Sequence, residues 1–189
     1  MKFTLDSNNP KMIVALGNIG KQYDNTRHNA GFMFLDYITD TLNLTASLVS
    51  EKDSDLMNMK RYQNPNLITL KPYTLMNSSG KAVREAIKYH NFPHEDILLI
   101  HDDLDIPLGK SKMQLGVSPK DHKGVISVEQ QMGSKDFLRL RIGIENRQQG
   151  SRIPGEDYVL QKFSDNEKVM LKTSFAEILD TYFEMRAIA

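Results

Sequence analysis

The order of elements predicts an α/β fold, a single domain in which helices cover both faces of a mixed, largely parallel sheet. Three observations carry that prediction. Short apolar runs alternate along the chain with segments of helical periodicity, which is the pattern of strands joined by crossover helices. The first such pair, Met12-Ile-Val-Ala-Leu16 and the helix that follows Gly17-Asn18-Ile19-Gly20, makes a strand–loop–helix opening. The runs Met12–Leu16 and Asp96-Ile-Leu-Leu-Ile100 are apolar almost throughout rather than alternating, as strands buried on both faces are.

Each element has its own signal. The first strand ends at Gly17, and Phe34, Leu35, Ile38 and Leu42 place one apolar face on a helix that starts near His28. Leu56 to Tyr62 and Asn66-Leu-Ile-Thr-Leu-Lys71 predict two strands that form a hairpin around Asn64-Pro65. Ser78-Ser79 reads as a cap for a helix carrying Ala82, Val83, Ala86 and Ile87, which stops near Asn91 and Pro93. Asp96–Ile100 is the most strand-like run and ends at His101-Asp-Asp-Leu-Asp105. Beyond it come a strand over Lys110–Leu115, a helix centred on Val125–Met132 and a strand over Leu138–Ile144. Ser164 and Glu167 form a capping box for a final helix with a stripe of Leu171, Phe175, Ile178, Leu179 and Tyr182. Residues 1–11 read as a short flexible lead rather than a presequence, residues 12–189 as the domain, and the loop 147–157 as the most mobile connection.

Composition narrows the classes. Apolar residues at 40% and charged residues at 25% of 189 are the balance of a soluble globular protein able to bury a core. No apolar run approaches the ~20 residues a membrane-spanning helix needs. The chain has no cysteine, which excludes disulfides, thiolate metal sites and cysteine nucleophiles, and fits a reducing compartment. The zero net charge is unevenly spread: residues 109–152 hold 9 basic and 4 acidic side chains, a net of +5, which points to a local anion-binding patch.

Ligands of open α/β sheets bind beyond the carboxyl ends of the strands. Asn18, Asn77 and Asp102 follow three predicted strands, and His28 follows the first closely. If those strands are neighbours, an imidazole, a carboxylate and two amides meet in one cleft. A carboxylate bonded to one imidazole nitrogen selects the tautomer whose other nitrogen can take a proton from water. The free N–H groups of the helix near Ser78 are candidates for stabilising an oxyanion. No G-x-S-x-G elbow is present, which favours direct attack by water over a serine intermediate. The opposing reading makes His28 a solvated residue in a turn capped by Thr26. Asp102, Asp103 and Asp105 allow a Mg²⁺ site, although orientation and loop capping explain them more simply. His101, at the end of a buried strand, reads as a core histidine. His90 and His94 are separated by the helix-breaking Pro93, which argues against a metal pair.

These residues lie within a set of blocks that resembles the bacterial-type peptidyl-tRNA hydrolases. The blocks are Val14-x-x-Gly-Asn18-x-Gly; Tyr23-x-x-Thr-Arg-His28-Asn-x-Gly31; Lys71-Pro-x-Thr-x-Met-Asn77-x-Ser-Gly80-x-Ala-Val83; His101-Asp-Asp-Leu-Asp105-x-Pro-x-Gly109; and Arg139-Leu-Arg-Ile-Gly143. The resemblance implies one α/β domain that hydrolyses the ester between peptide and tRNA without a cofactor or metal. It implies His28 as general base, Asp102 as its orienter, Asn18 and Asn77 as the groups that hold the peptide end and the water, and Tyr23 near the 3′ nucleotide. It also implies tRNA as partner; no membrane and a monomer are expected. A cytoplasmic location is expected, with the mitochondrial matrix as the alternative.

The chain departs from the family's pattern at the loop Gly116-Val-Ser-Pro-Lys-Asp-His122-Lys-Gly124, where Lys123 replaces an asparagine and Asp121 a glycine. Ile19 stands where proline is usual and Glu145 where glycine is common. The base and its orienter remain, so activity is expected to survive, with Lys123 making a phosphate contact in place of an amide hydrogen bond. Lys110, Lys112, Lys120, His122, Lys123, Arg139 and Arg141 are the expected tRNA-binding set. Arg139 and Arg141 alternate with apolar residues and are expected on one face of their strand. The competing reading is a catalytically weak RNA-binding relative of the same fold.

Overall fold

A computed structural model describes residues 2–5, 11–63, 65–117, 119 and 121–185. The strands are β1 (Phe3–Leu5), β2 (Lys11–Ala15), β3 (Leu48–Asp53), β4 (Met57–Tyr62), β5 (Leu67–Pro72), β6 (Ile97–Pro107), β7 (Ser111–Leu115), β8 (Leu138–Glu145) and β9 (Phe183–Met185). The helices are α1 (Ala30–Thr41), α2 (Ser79–His90), α3 (Lys123–Met132), α4 (Gly155–Val159) and α5 (Asp165–Tyr182), with short 3-10 turns between elements.

Seven strands form one sheet in the order β3-β4-β5-β2-β6-β8-β7. β5, β2, β6 and β8 are mutually parallel, and β4 and β7 run against them. The sheet is therefore mixed and parallel at its centre. Alternation along the central strands divides the core in two. Ile13, Leu98, Ile100, Leu140 and Ile142 face α1 and α5, where Phe34, Ile38 and Phe175 pack. Met12, Val14, Leu70 and Leu99 face α2 and α3 with Ala82, Val83, Val125 and Val128. Both layers are apolar because a parallel sheet reached by crossover helices has no solvent face.

Several expectations are corrected. Phe3 and Leu5, expected in a flexible lead, are buried in β1, which pairs in parallel with β9. Their two apolar side chains are too few to signal a strand in isolation, and only the distant β9 gives them a partner. Residues 6–10 lie outside the described residues. The β4–β5 hairpin forms as expected, although Asn64 in its turn is also outside them. β3, whose six residues are all exposed, adds an edge strand that no burial pattern announces. β6 runs on through the polar His101–Asp105 stretch because β8 continues to pair with it as far as Pro107 and Glu145. The loop 147–157 is fastened rather than open: Arg147 is paired with Glu145, its Nη1 donates to Ile153 O at 2.8 Å, and α4 occupies its end. The capping box of α5 is present at Ser164 and Glu167. The expected cap of α2 is not, since Ser78 makes no capping bond and the Gly80 N–H is met by Ser127 Oγ of α3 at 3.0 Å.

Candidate active site

β2 ends at Ala15 opposite Ile100 while its neighbour β6 runs on, and α1 begins directly above the point where they part. Gly31 makes that approach possible: a Cβ there would lie 2.6 Å from Leu16 O and 2.8 Å from Ile100 O, both backbone atoms that cannot move aside. His28 sits just before it, in the 3-10 turn Arg27–Asn29. Arg27 anchors this turn from beneath, donating to Glu167, Gln161 O and Lys162 O while its guanidinium lies 4.2 Å from the Tyr158 ring centre. Thr26 does not cap by its side chain; its hydroxyl donates to Tyr23 O.

His28 Nδ1 lies 2.9 Å from Asp102 Oδ1, joining the α1 side of the sheet to the middle of β6. Asp102 is buried, and its carboxyl is held well below the ordinary carboxylate range. Burial opposes that ionisation, and the imidazoles of His28 and His122, with their hydrogen bonds, outweigh it. An ionised carboxylate only accepts, so Nδ1 of His28 carries the proton and Nε2 is its basic atom. Burial pulls the His28 pKa down, yet the charge and hydrogen bond of Asp102 outweigh both burial and the nearby Lys123, and the net shift is upward from 6.5. The side chain keeps 13% of its surface exposed against 2% for Asp102, so water can reach the base but not its orienter.

His122 approaches the same oxygen from the other face of the sheet. Its Nε2 lies 3.1 Å from Asp102 Oδ1, while its Nδ1 accepts from the N–H groups of Gly124 and Val125 at 3.2 and 3.3 Å. It is thus the N-cap of α3, with its proton on Nε2. The His28 and His122 ring centres are 4.9 Å apart. The donor atoms of His28, Asp102 and His122 lie within 4.8 Å of one another, a composition able to hold a metal ion. In the geometry observed, both ring nitrogens are engaged by the carboxylate through protons.

Asn29 completes the wall. Its Oδ1 accepts from Asn18 N–H at 2.7 Å and its Nδ2 donates to Asn18 O at 3.0 Å, pinning the backbone of Asn18 at the end of β2 and leaving the Asn18 side chain half-buried at the cleft. Asn77 is exposed in the 3-10 turn ahead of α2, beside Met76, whose sulfur packs on Gly124 at the start of α3. The Gly80 N–H at the start of α2 is already bonded to Ser127, so it is not free for an oxyanion. Tyr23 is half-buried in the turn before His28.

The expected tRNA-binding set divides. Lys110, Lys112 and Lys123 are exposed, and Lys123 Nζ is 3.9 Å from Glu156 Oε2 of α4. Lys120 lies outside the described residues. Arg139 and Arg141 do share a face, but it is the face covered by α3. Arg139 is fully buried and pairs with Glu129 at 2.7 Å, while Arg141 pairs with Asp103 at 2.7 Å and donates to Gln114. β8 is an inner strand, so alternation there turns these arginines into the protein, and neither is available to RNA. His122, expected among the RNA contacts, is buried and faces Asp102. Asp103 also accepts from the Asp105 N–H, so the three aspartates do not converge as a Mg²⁺ site would require.

The partnerships of His122 and Asn29 were not legible in sequence. Histidine is outside the usual N-cap set, and Asn29 is indistinguishable from any polar residue in a turn until Asn18 is placed opposite it.

The peptidyl-tRNA hydrolase family model matches residues 12–187. The chain belongs to the peptidyl-tRNA hydrolase family. It is 42% identical to the peptidyl-tRNA hydrolase of Geotalea daltonii over 171 residues, 90% of this chain and 86% of that one. The enzyme of Mycoplasma mycoides is 36% identical over 174 residues, 90% of this chain and 89% of the other. Among solved structures, the peptidyl-tRNA hydrolase of Acinetobacter baumannii is similar with a TM-score of 0.79 and 31% identity, covering 93% of this chain and 87% of that one.

Proposed function

We infer that the protein hydrolyses the ester between peptide and tRNA, with His28 as general base. The observation that carries this is the His28 Nδ1–Asp102 Oδ1 contact of 2.9 Å, which leaves Nε2 as the basic atom at the cleft. In the step that follows, Nε2 removes a proton from water as the water oxygen attacks the ester carbonyl carbon. The tetrahedral intermediate then expels the ribose oxygen of the tRNA, which takes the same proton from the imidazolium. The products are a free tRNA 3′ end and a peptide carboxylic acid, which loses the second water proton to solvent and leaves as the carboxylate. Asp102 stabilises the imidazolium without being protonated itself. Asn18, pinned by Asn29, and Asn77 hold the peptide carbonyl and the water, and Tyr23 lines the approach of the 3′ nucleotide.

Exposed Lys110, Lys112 and Lys123 supply the contacts to tRNA phosphates, and none of the chemistry is assigned to a metal or cofactor. Action as a monomer belongs to the same reading. The cytoplasm is the proposed location, supported by the lack of cysteine. Among the described residues no helix is long and apolar enough to cross a membrane.

Hydrolysis of N-acetyl-aminoacyl-tRNA with and without a chelator tests the assignment. His28→Ala is expected to lower kcat by roughly 10³-fold with tRNA binding retained, on the scale of a lost general base. Turnover abolished by chelator, or retained in His28→Ala, would overturn it.

A further inference from the structure

We propose that His101 is a positioning residue, whose Nδ1–H takes the place of a missing sheet partner and so fixes the backbone that aims Asp102 at His28. The proposal rests on the role given above to Asp102.

The need for such a group follows from the sheet itself. Ile100 O accepts from the N–H of Leu16, the residue that follows β2, at 2.9 Å. Carbonyls two residues apart on a strand point the same way, so Asp102 O also points toward the β2 side. β2 has left the sheet by then, since the chain turns away at Gly17, and this separation opens the cleft. The Asp102 carbonyl is therefore left without a ladder donor at the residue that carries the orienting carboxylate, and buried carbonyls are rarely left unpaired. His101 Nδ1 lies 2.7 Å from that oxygen.

The rest of the ring fits a fixed, neutral donor. His101 is fully buried, and among the described residues its Nε2 has no hydrogen-bond partner, so its one proton belongs on Nδ1 where the acceptor is. Its ring stands edge-on to that of His122 with centres 5.1 Å apart. The groups that face it are His122, Asp102 and Arg141. Burial first, and then His122, lower its pKa to about 3, so it stays uncharged wherever the enzyme works. A histidine in this place serves as a donor of fixed direction rather than as a base.

Two amide substitutions separate this role from simple space filling. The Asn amide nitrogen occupies the position of histidine Nδ1, and the Gln amide nitrogen that of Nε2, although Gln is nearer to His in volume. His101→Asn is expected to keep kcat/KM within a few-fold of the parent. His101→Gln is expected to lower it roughly tenfold or more, the scale of lost outer hydrogen bonds at other sites. NMR titration of the His28 ring supplies the second readout. Its midpoint should fall in His101→Gln, as Asp102 loses its aim, and stay in place in His101→Asn. A merely structural role predicts the reverse order in kcat/KM and no movement of the His28 midpoint, and either result would overturn the proposal. The titration needs no turnover, so it remains decisive even if His28→Ala shows that His28 is not the base.

Discussion

The starts of α1 and α3 each deliver one histidine to the same oxygen of Asp102, and the two histidines end in opposite states. His28 offers Nδ1–H and keeps Nε2 for the cleft; His122 offers Nε2–H because its Nδ1 is spent on two backbone N–H groups of its own helix. Residue type and partner are identical. The difference lies in what the second ring nitrogen meets: for His28 it is the cleft, and for His122 the positive end of a helix. A shared carboxylate thus yields one base and one strut, and the tautomer is set by the far nitrogen.

Removing the shared partner breaks the comparison most severely. Asp102→Asn is expected to lower kcat/KM by roughly 10²-fold or more, because an amide cannot stabilise the imidazolium and accepts less strongly from two N–H donors. A smaller loss in steady-state assays would mean that His28 holds its tautomer without Asp102.

The strut is tested next. His122→Asn keeps a good capping side chain but cannot reach Asp102, and is expected to lower kcat/KM about tenfold with the melting temperature nearly unchanged. His122→Ala loses the cap as well and should be about 1 kcal/mol less stable in denaturant titration. Equal stability of the two variants would show that the capping bonds contribute nothing.

The pH profile sharpens the role of His28. Only the neutral imidazole is a base, and its pKa is raised above 6.5, so kcat/KM should fall as pH drops through a value above 6.5. The groups facing the ring are Asp102, His122 and Lys123. In Asp102→Asn, burial and Lys123 both act downward unopposed, and the limb should move to lower pH. The stability linkage has the opposite sign from activity. A raised folded pKa contributes stability below 6.5, and that contribution is lost as pH rises through the folded value. The enzyme is therefore active where this contribution has gone.

Lys123→Asn tests the smallest difference between the two helix starts. The lysine is exposed, and removing it should reduce the slope of log affinity against log salt for tRNA by about one while changing kcat little. An unchanged slope would remove Lys123 from the phosphate contacts.

The buried arginines show where reading along the chain reaches its limit. Arg139 and Arg141 alternate with apolar residues just as exposed basic residues on a half-solvated strand would, and their shared face was legible. That the face lies under α3, opposite Glu129, depends on β7 pairing outside β8 and on the crossover from α3. Lys110 and Lys112, on or beside the edge strand, carry the same charge and stay in water.

The local signals are those that act within a few residues. The apolar runs of β2 and β6, the stripes of α1 and α5 and the Ser164–Glu167 box are readable because periodicity and capping are short-range. The family motifs pointed to the same histidine and aspartate. The strand at Phe3–Leu5, the burial of Arg139, the double engagement of Asp102 and the pinning of Asn18 by Asn29 join residues 10 to 180 positions apart. Such contacts arise when the chain closes on itself, because a side chain's protonation and burial depend on neighbours that no local pattern contains.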